Sequence, residues 1–167
     1  MTILEGKEKM KIEKTAFLSV FIFGIIYGIH YSLKSLIVFS WIYSSDLTTN
    51  DVATLVPFLN QVSAVIGWIL LLIVLIVMYY IGKKLDLKAN LKSIAISMLL
   101  GGFIGYFLVR LVSIPIFFMI LQHELSLNLA VDYLGGILYT SLGTTSSLFF
   151  ASFTATATAH LRKAGKH

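Results

Sequence analysis

The chain has 167 residues, of which 57% are hydrophobic and 13% charged, with a formal net charge of +5 and a mean hydropathy of +0.89. Soluble domains carry about 25% charged residues, so the composition excludes an ordinary water-soluble globular protein. Cysteine is absent, which rules out disulfide frameworks, thiol redox relays and thiolate metal sites within the chain.

Four long apolar stretches dominate, at about 16–43, 55–82, 93–121 and 133–159. Each exceeds the ~20 residues a helix needs to cross the hydrocarbon layer. A short head, 1–15, precedes them with Lys7, Lys9, Lys11 and Lys14. Lysines before an apolar run resemble a signal peptide. The run is too long for one, however, and no small-residue cleavage pattern follows Tyr43, so the first span is expected to be retained. Residues Ile3–Lys14 are a candidate for a short interfacial helix with few apolar residues.

The first span carries Gly24 and Gly28 at GxxxG spacing, then Ser32, with Tyr27, His30, Tyr31 and Lys34 on neighbouring turns and Trp41 and Tyr43 at its boundary. An acidic connection follows, with Asp46 and Asp51. The second span opens with Pro57, Asn60 and Gln61, runs through Ile69–Val77 without a polar residue, and ends at Tyr79 and Tyr80. It reads as peripheral. Its Pro57 is expected near the helix start, where a missing N–H costs little. Lys83, Lys84, Lys88 and Lys92 come next.

The third span repeats the small-residue spacing at Gly101 and Gly105, then places Tyr106, Arg110 and Ser113, and contains Pro115. Proline there removes an intrahelical donor and predicts a kink. The parallels between spans one and three, each with GxxxG and then a cation, suggest a duplicated hairpin. Glu124 and Asp132 lie in the next connection.

The fourth span sets Gly135, Gly143, Ser147, Ala151, Ala155 and Ala159 in i+4 register. Small residues let helix backbones approach closely, so this face is expected to pack against helices. Leu138, Leu142, Phe149 and Phe153 are expected to face lipid. A hydroxyl stripe, from Thr140 and Thr144 to Thr154 and Thr158, is read as packing surface, its hydroxyls bonded back to the helix. The tail, 160–167, adds Arg162, Lys163 and Lys166.

Eleven of the thirteen Lys and Arg thus fall in the head, the central connection and the tail. The positive-inside rule places those segments in the cytoplasm. The predicted fold is all-α: a polytopic four-transmembrane-helix bundle of two helical hairpins, N-in/C-in, a single transmembrane domain over 1–167 in the cell membrane. Topology and anionic lipid account for the basic excess, and no nucleic-acid partner is expected.

Lys34 and Arg110 are the charged residues inside the spans. His30, Asn60, Gln61 and Tyr106 fall at comparable depth. Two cations with no acid at their level point to an anion or a lipid headgroup, gripped bidentately by Arg110 with Lys34 as a mobile charge. The plainer reading is that both snorkel to the interface.

Neither a catalytic constellation nor a second membrane histidine accompanies His30, so no enzyme activity, cofactor or metal is expected. The sequence points to a small non-enzymatic subunit or accessory assembly factor. It would pack as a homo-oligomer or with other membrane proteins through Gly24, Gly28, Gly101, Gly105, Gly135, Gly143, Ser147 and Ala151. The alternative is an oligomeric transporter or channel for an anion or anionic headgroup, using Lys34 and Arg110.

Overall fold

The computed structural model describes residues 13–44, 49–85, 87–121 and 127–164. Most of the possible interfacial helix at Ile3–Lys14, the connection residues Asp46, His123 and Glu124, and His167 lie outside the described residues. So do the side chains of Trp41, Tyr43 and Asp132.

Four helices form: α1 (Lys14–Ser44), α2 (Thr49–Gly82), α3 (Leu87–Leu121) and α4 (Leu127–Ala164). Segments within three of them, Lys14–Val38, Ala53–Gly82 and Leu91–Ile116, are long and apolar enough to cross a membrane, as expected of a membrane protein. The helices outrun the apolar stretches, because helical hydrogen bonding does not depend on apolarity. α2 starts at Thr49, with Asp51 in its first turn, where a carboxylate favours the positive end of the helix dipole. Pro57 therefore sits inside α2 rather than at its first turn, and α3 continues through Pro115.

The helices alternate in direction. Tyr27 and His30 of α1 meet Gly67 and Ser63 of α2, which fixes those two as antiparallel. The backbone N–H of Glu13 donates to Ser97 Oγ at 2.8 Å, and Arg162 reaches Tyr79. Lys14, Lys83, Lys84, Lys92 and Arg162 consequently gather at one end, called here the lysine-rich end.

The packing is not that of two separate hairpins. α1 packs most extensively on α3, its parallel neighbour, and only lightly on α2, while α2 rests on α4 and makes no close backbone approach to α3 among the described residues. α3 and α4 do pack as a hairpin. Glycine explains the α1/α3 preference. A methyl on Gly24 would lie 2.6 Å from the carbonyl oxygen of Gly102, and one on Gly28 would lie 2.8 Å from Val109 Cβ. Methyls on Gly101 and Gly105 would strike the backbone carbonyls of Phe17 and Phe21. In lipid, helices associate through dispersion and short backbone approach rather than water exclusion, so this seam outweighs chain adjacency.

The bundle interior runs through Ala16, Val20, Phe23, Val74, Met78, Ile94, Met98, Tyr106, Leu148 and Ala155. Phe149 and Phe153 lie against it, so they do not face outward as expected, whereas Leu138 and Leu142 do. On α4 the buried line is Ile137, Ser141, Thr145, Leu148, Ser152, Thr156 and Ala159. It is displaced from the smallest residues because Leu148 fills space beside Gly102 of α3. α2 exposes a broad apolar surface, with Trp68 68% exposed.

Candidate functional site

α2 and α4 meet near the lysine-rich end and part beyond it. At the junction a methyl on Gly82 would lie 2.7 Å from Thr156 Cα, and Thr156 donates to the carbonyl of Met78 at 3.5 Å. In the far half, methyls on Gly135, Gly136 and Gly143 would meet nothing within 4 Å among the described residues, and Tyr139 is 82% exposed. There α4 leans on α3 and leaves α2, and a gap opens with α1 as its floor.

Two adjoining hollows make up this gap, both bordered by Tyr27, Tyr31 and Ser147. One, of about 520 Å³, has Tyr139, Thr140, Gly143 and Thr144 on its α4 wall. The other, of about 330 Å³, is lined by His30, Lys34, Asn60 and Ser63. Together they form a cleft with polar groups set among mostly apolar walls, flanked by the apolar outside of α2.

Helical periodicity builds its floor. Tyr27, Tyr31 and Lys34 recur every three to four residues and share a face. The Tyr27 hydroxyl donates to the carbonyl of Gly67 at 2.8 Å. His30 Nε2 lies 3.0 Å from Ser63 Oγ and 3.2 Å from the Ser63 carbonyl oxygen. These side chains tie α1 to α2 where their backbones touch little. Tyr31 stands edge-on to His30 at 5.7 Å and to Tyr106 at 5.9 Å. Lys34 Nζ sits 6.0 Å from the Tyr31 ring centre, a weak cation–π approach.

Behind Tyr31 lies the second cation. Arg110 is only 8% exposed, and its Nη1 donates to Ser32 Oγ at a long 3.5 Å. Its Nε and the hydroxyl of the fully buried Tyr106 have no hydrogen-bond partner among the described residues. No acidic residue lines either hollow among the described residues. A guanidinium left without a counter-charge at membrane depth costs about 3 kcal/mol or more.

Of the six polar residues expected to act together, Lys34, His30 and Asn60 line the cleft, and Tyr106 and Arg110 lie behind its Tyr31 wall. Gln61 is exposed and lines neither hollow. Among the small residues, Gly24, Gly28, Gly101 and Gly105 are in the α1/α3 seam, Ala151 is half-buried, and Gly135, Gly143 and Ser147 face out of the chain. Ser63 and Ser32 were not singled out for binding by their sequence context. A serine inside an apolar run was the available signal, but serines are too frequent here to mark one.

The hydroxyls of α4 are largely satisfied within the helix. Thr140, Ser141, Ser146, Ser147, Thr156 and Thr158 each donate to a carbonyl four residues earlier. No group of three or more His, Asp or Glu suited to a metal ion occurs among the described residues. No protein-family model matches the chain, and comparison with curated proteins and with solved structures finds no match.

Proposed function

We propose that this chain is a small non-enzymatic membrane protein that works by assembly: a further helix, from a second copy or another membrane protein, seats against the far half of α4. The carrying observation is the open glycine surface there. Each glycine inside a helix costs about 1 kcal/mol relative to alanine, and at Gly135, Gly136 and Gly143 no contact among the described residues offsets it. A partner backbone approaching that surface would. The reading includes a fourth crossing by α4, which at 38 residues reaches about 57 Å. Its internally bonded hydroxyls lower the desolvation cost that hydropathy assigns to them. It also places both termini on the cytoplasmic side of the cell membrane, by the positive charge at the lysine-rich end.

The absence of cysteine makes single-cysteine probes clean. In isolated membranes, Gly143→Cys is expected to give a bismaleimide-linked species, and Val65→Cys, on the outward face of α2, to give none. If Gly143→Cys stays monomeric and a mild-detergent pull-down returns this chain alone, the assembly reading fails.

One observation favours a second reading: Lys34 lines the cleft and Arg110 lies behind its Tyr31 wall, with no acidic residue lining either hollow among the described residues. In that reading the cleft takes an anion or an anionic headgroup, and the chain is an oligomeric transporter or channel. Lys34→Gln and Arg110→Met then abolish anion flux into liposomes, while the Gly143→Cys cross-link persists. Removing the buried charge of Arg110 is expected to leave stability equal or higher. Loss of flux would therefore not reflect unfolding.

A further inference from the structure

A second pair of cations lies at the opposite end of the α2/α4 interface, away from the cleft. Lys83 Nζ sits 4.8 Å from the Tyr79 ring centre and 5.0 Å from that of Tyr80. The Arg162 guanidinium approaches the same Tyr79 ring at 5.9 Å, and its Nη1 donates to the Tyr79 hydroxyl at 3.5 Å. Two like charges are thus gathered around one tyrosine, with no carboxylate paired to either among the described residues. Their mutual repulsion falls when an anion lies between them.

Arg162, Tyr79 and Tyr80 border a groove of about 450 Å³ between α2 and α4, walled further by Leu75, Ile76, Thr154, Ala155 and Thr158, and Lys83 stands against the Tyr79 and Tyr80 rings at its rim. Its shape follows from the sequence: Ala155 and the short threonines on α4 leave room that the longer Leu75 and Ile76 on α2 do not close. A cationic mouth above an apolar slot matches one occupant, a molecule with an anionic head and a hydrocarbon tail.

We propose that this is a binding site for an anionic phospholipid, its phosphate held by Lys83 and Arg162 and one acyl chain laid in the α2/α4 groove. Tyr79 has a double role: its ring positions both cations, and its hydroxyl, already bonded to Arg162, lies at headgroup level, where tyrosines favour the interface. Charge complementarity selects the acidic headgroup, and the groove selects a lipid over a soluble phosphate.

The test uses the full chain in mild detergent, with phosphatidylglycerol or phosphatidylcholine added and retained lipid counted by native mass spectrometry. Phosphatidylglycerol is expected to stay bound on the wild type and to raise its melting temperature, and phosphatidylcholine to do neither. The double variant Lys83→Gln with Arg162→Gln should bind phosphatidylglycerol more weakly by on the order of tenfold or more. Lys84→Gln with Lys92→Gln, which removes the same charge from the same end, should bind as wild type.

Thr158→Trp fills the groove from its exposed side, leaves both cations in place, and should also lose the lipid. If the control pair weakens binding as much as the Lys83/Arg162 pair, the attraction is a general surface effect and the site does not exist. If Thr158→Trp retains the lipid, or glycerol phosphate without chains gives the same thermal shift, the groove has no part in binding and the proposal is overturned.

Discussion

Gly24, Gly28, Gly101 and Gly105 line a seam where an added methyl would strike a neighbouring helix, whereas Gly135, Gly136 and Gly143 line a surface where it would strike nothing among the described residues. Both sets occupy apolar helices and read alike as small-residue faces. The first set has its partner within the chain, in the parallel pair α1 and α3. The second belongs to a helix whose internal partners, α2 and α3, are met by a different line of residues. A glycine spacing therefore announces that a helix is fit for close approach, and only the surrounding bundle tells whether the approach has already been made.

Bulky substitution should break this comparison most plainly. Gly105→Leu drives a side chain into the Phe21 backbone, and backbone cannot move aside as a flexible side chain can. The expected loss is about 3 kcal/mol or more, read as failure to reach a monodisperse, cooperatively melting species in detergent. Gly143→Leu should leave the melting of the isolated chain within about 0.5 kcal/mol and, under the assembly proposal, remove the partner. Should Gly143→Leu unfold the isolated chain as Gly105→Leu does, the far face of α4 is internal after all and the contrast disappears.

That contrast also shows what the sequence could and could not reveal. Apolar length marked each helix, and three of the four contain a segment long and apolar enough to cross a membrane, a one-dimensional constraint. The α1/α3 seam was visible in Gly24, Gly28, Gly101 and Gly105 as a tendency, but the choice between α3 and α2 as partner depends on side chains that fit across a gap. Phe149 and Phe153 illustrate the difficulty: bulk alone placed them outward, yet they are partly buried against the core cluster. Leu148, rather than a small residue, holds the buried line on α4. The cleft was half legible. Depth along the helices brought Lys34, His30, Asn60 and Arg110 to one level, while rotation about each axis, which sends Gln61 outward and Arg110 behind Tyr31, was beyond a pattern with so little amphipathic contrast.

Hydrogen bonds sharpen the comparison at a smaller scale. α1 is held to α3 by backbone proximity and to α2 chiefly by side chains, so polar deletions should matter more on the α2 side. Tyr27→Phe removes the bond to the Gly67 carbonyl, and Ser63→Ala removes the hydroxyl facing His30. Each is expected to cost about 1 kcal/mol. A double-mutant cycle between His30→Ala and Ser63→Ala should show a coupling of similar size in chemical unfolding. Ser97→Ala, on the α3 side, loses a bond from the Glu13 backbone but leaves the glycine seam intact, and α1 should remain docked by cross-linking. If instead Tyr27→Phe and Ser63→Ala together have no effect, α2 is placed by α4 alone.

The smallest effects belong to the hydroxyls of α4, and they test whether that helix is a packing element or a polar lining. Ser146 is exposed and donates to the carbonyl of Leu142 at 2.8 Å. Replacing it with alanine removes a bond made within the helix and adds helix propensity, so the change should stay within about 0.5 kcal/mol. Ser152 is fully buried, and its Oγ has no partner among the described residues. Alanine there removes an unsatisfied hydroxyl and should be neutral or stabilising by up to about 1 kcal/mol. A hydroxyl that lined a water-filled route would respond differently, since Ser146→Ala would then leave folding alone and lower permeation. Equal anion flux for wild type and Ser146→Ala, alongside loss of flux for Lys34→Gln, would confine any route to the α1/α2 side of the cleft and leave α4 as the wall on which a partner helix rests.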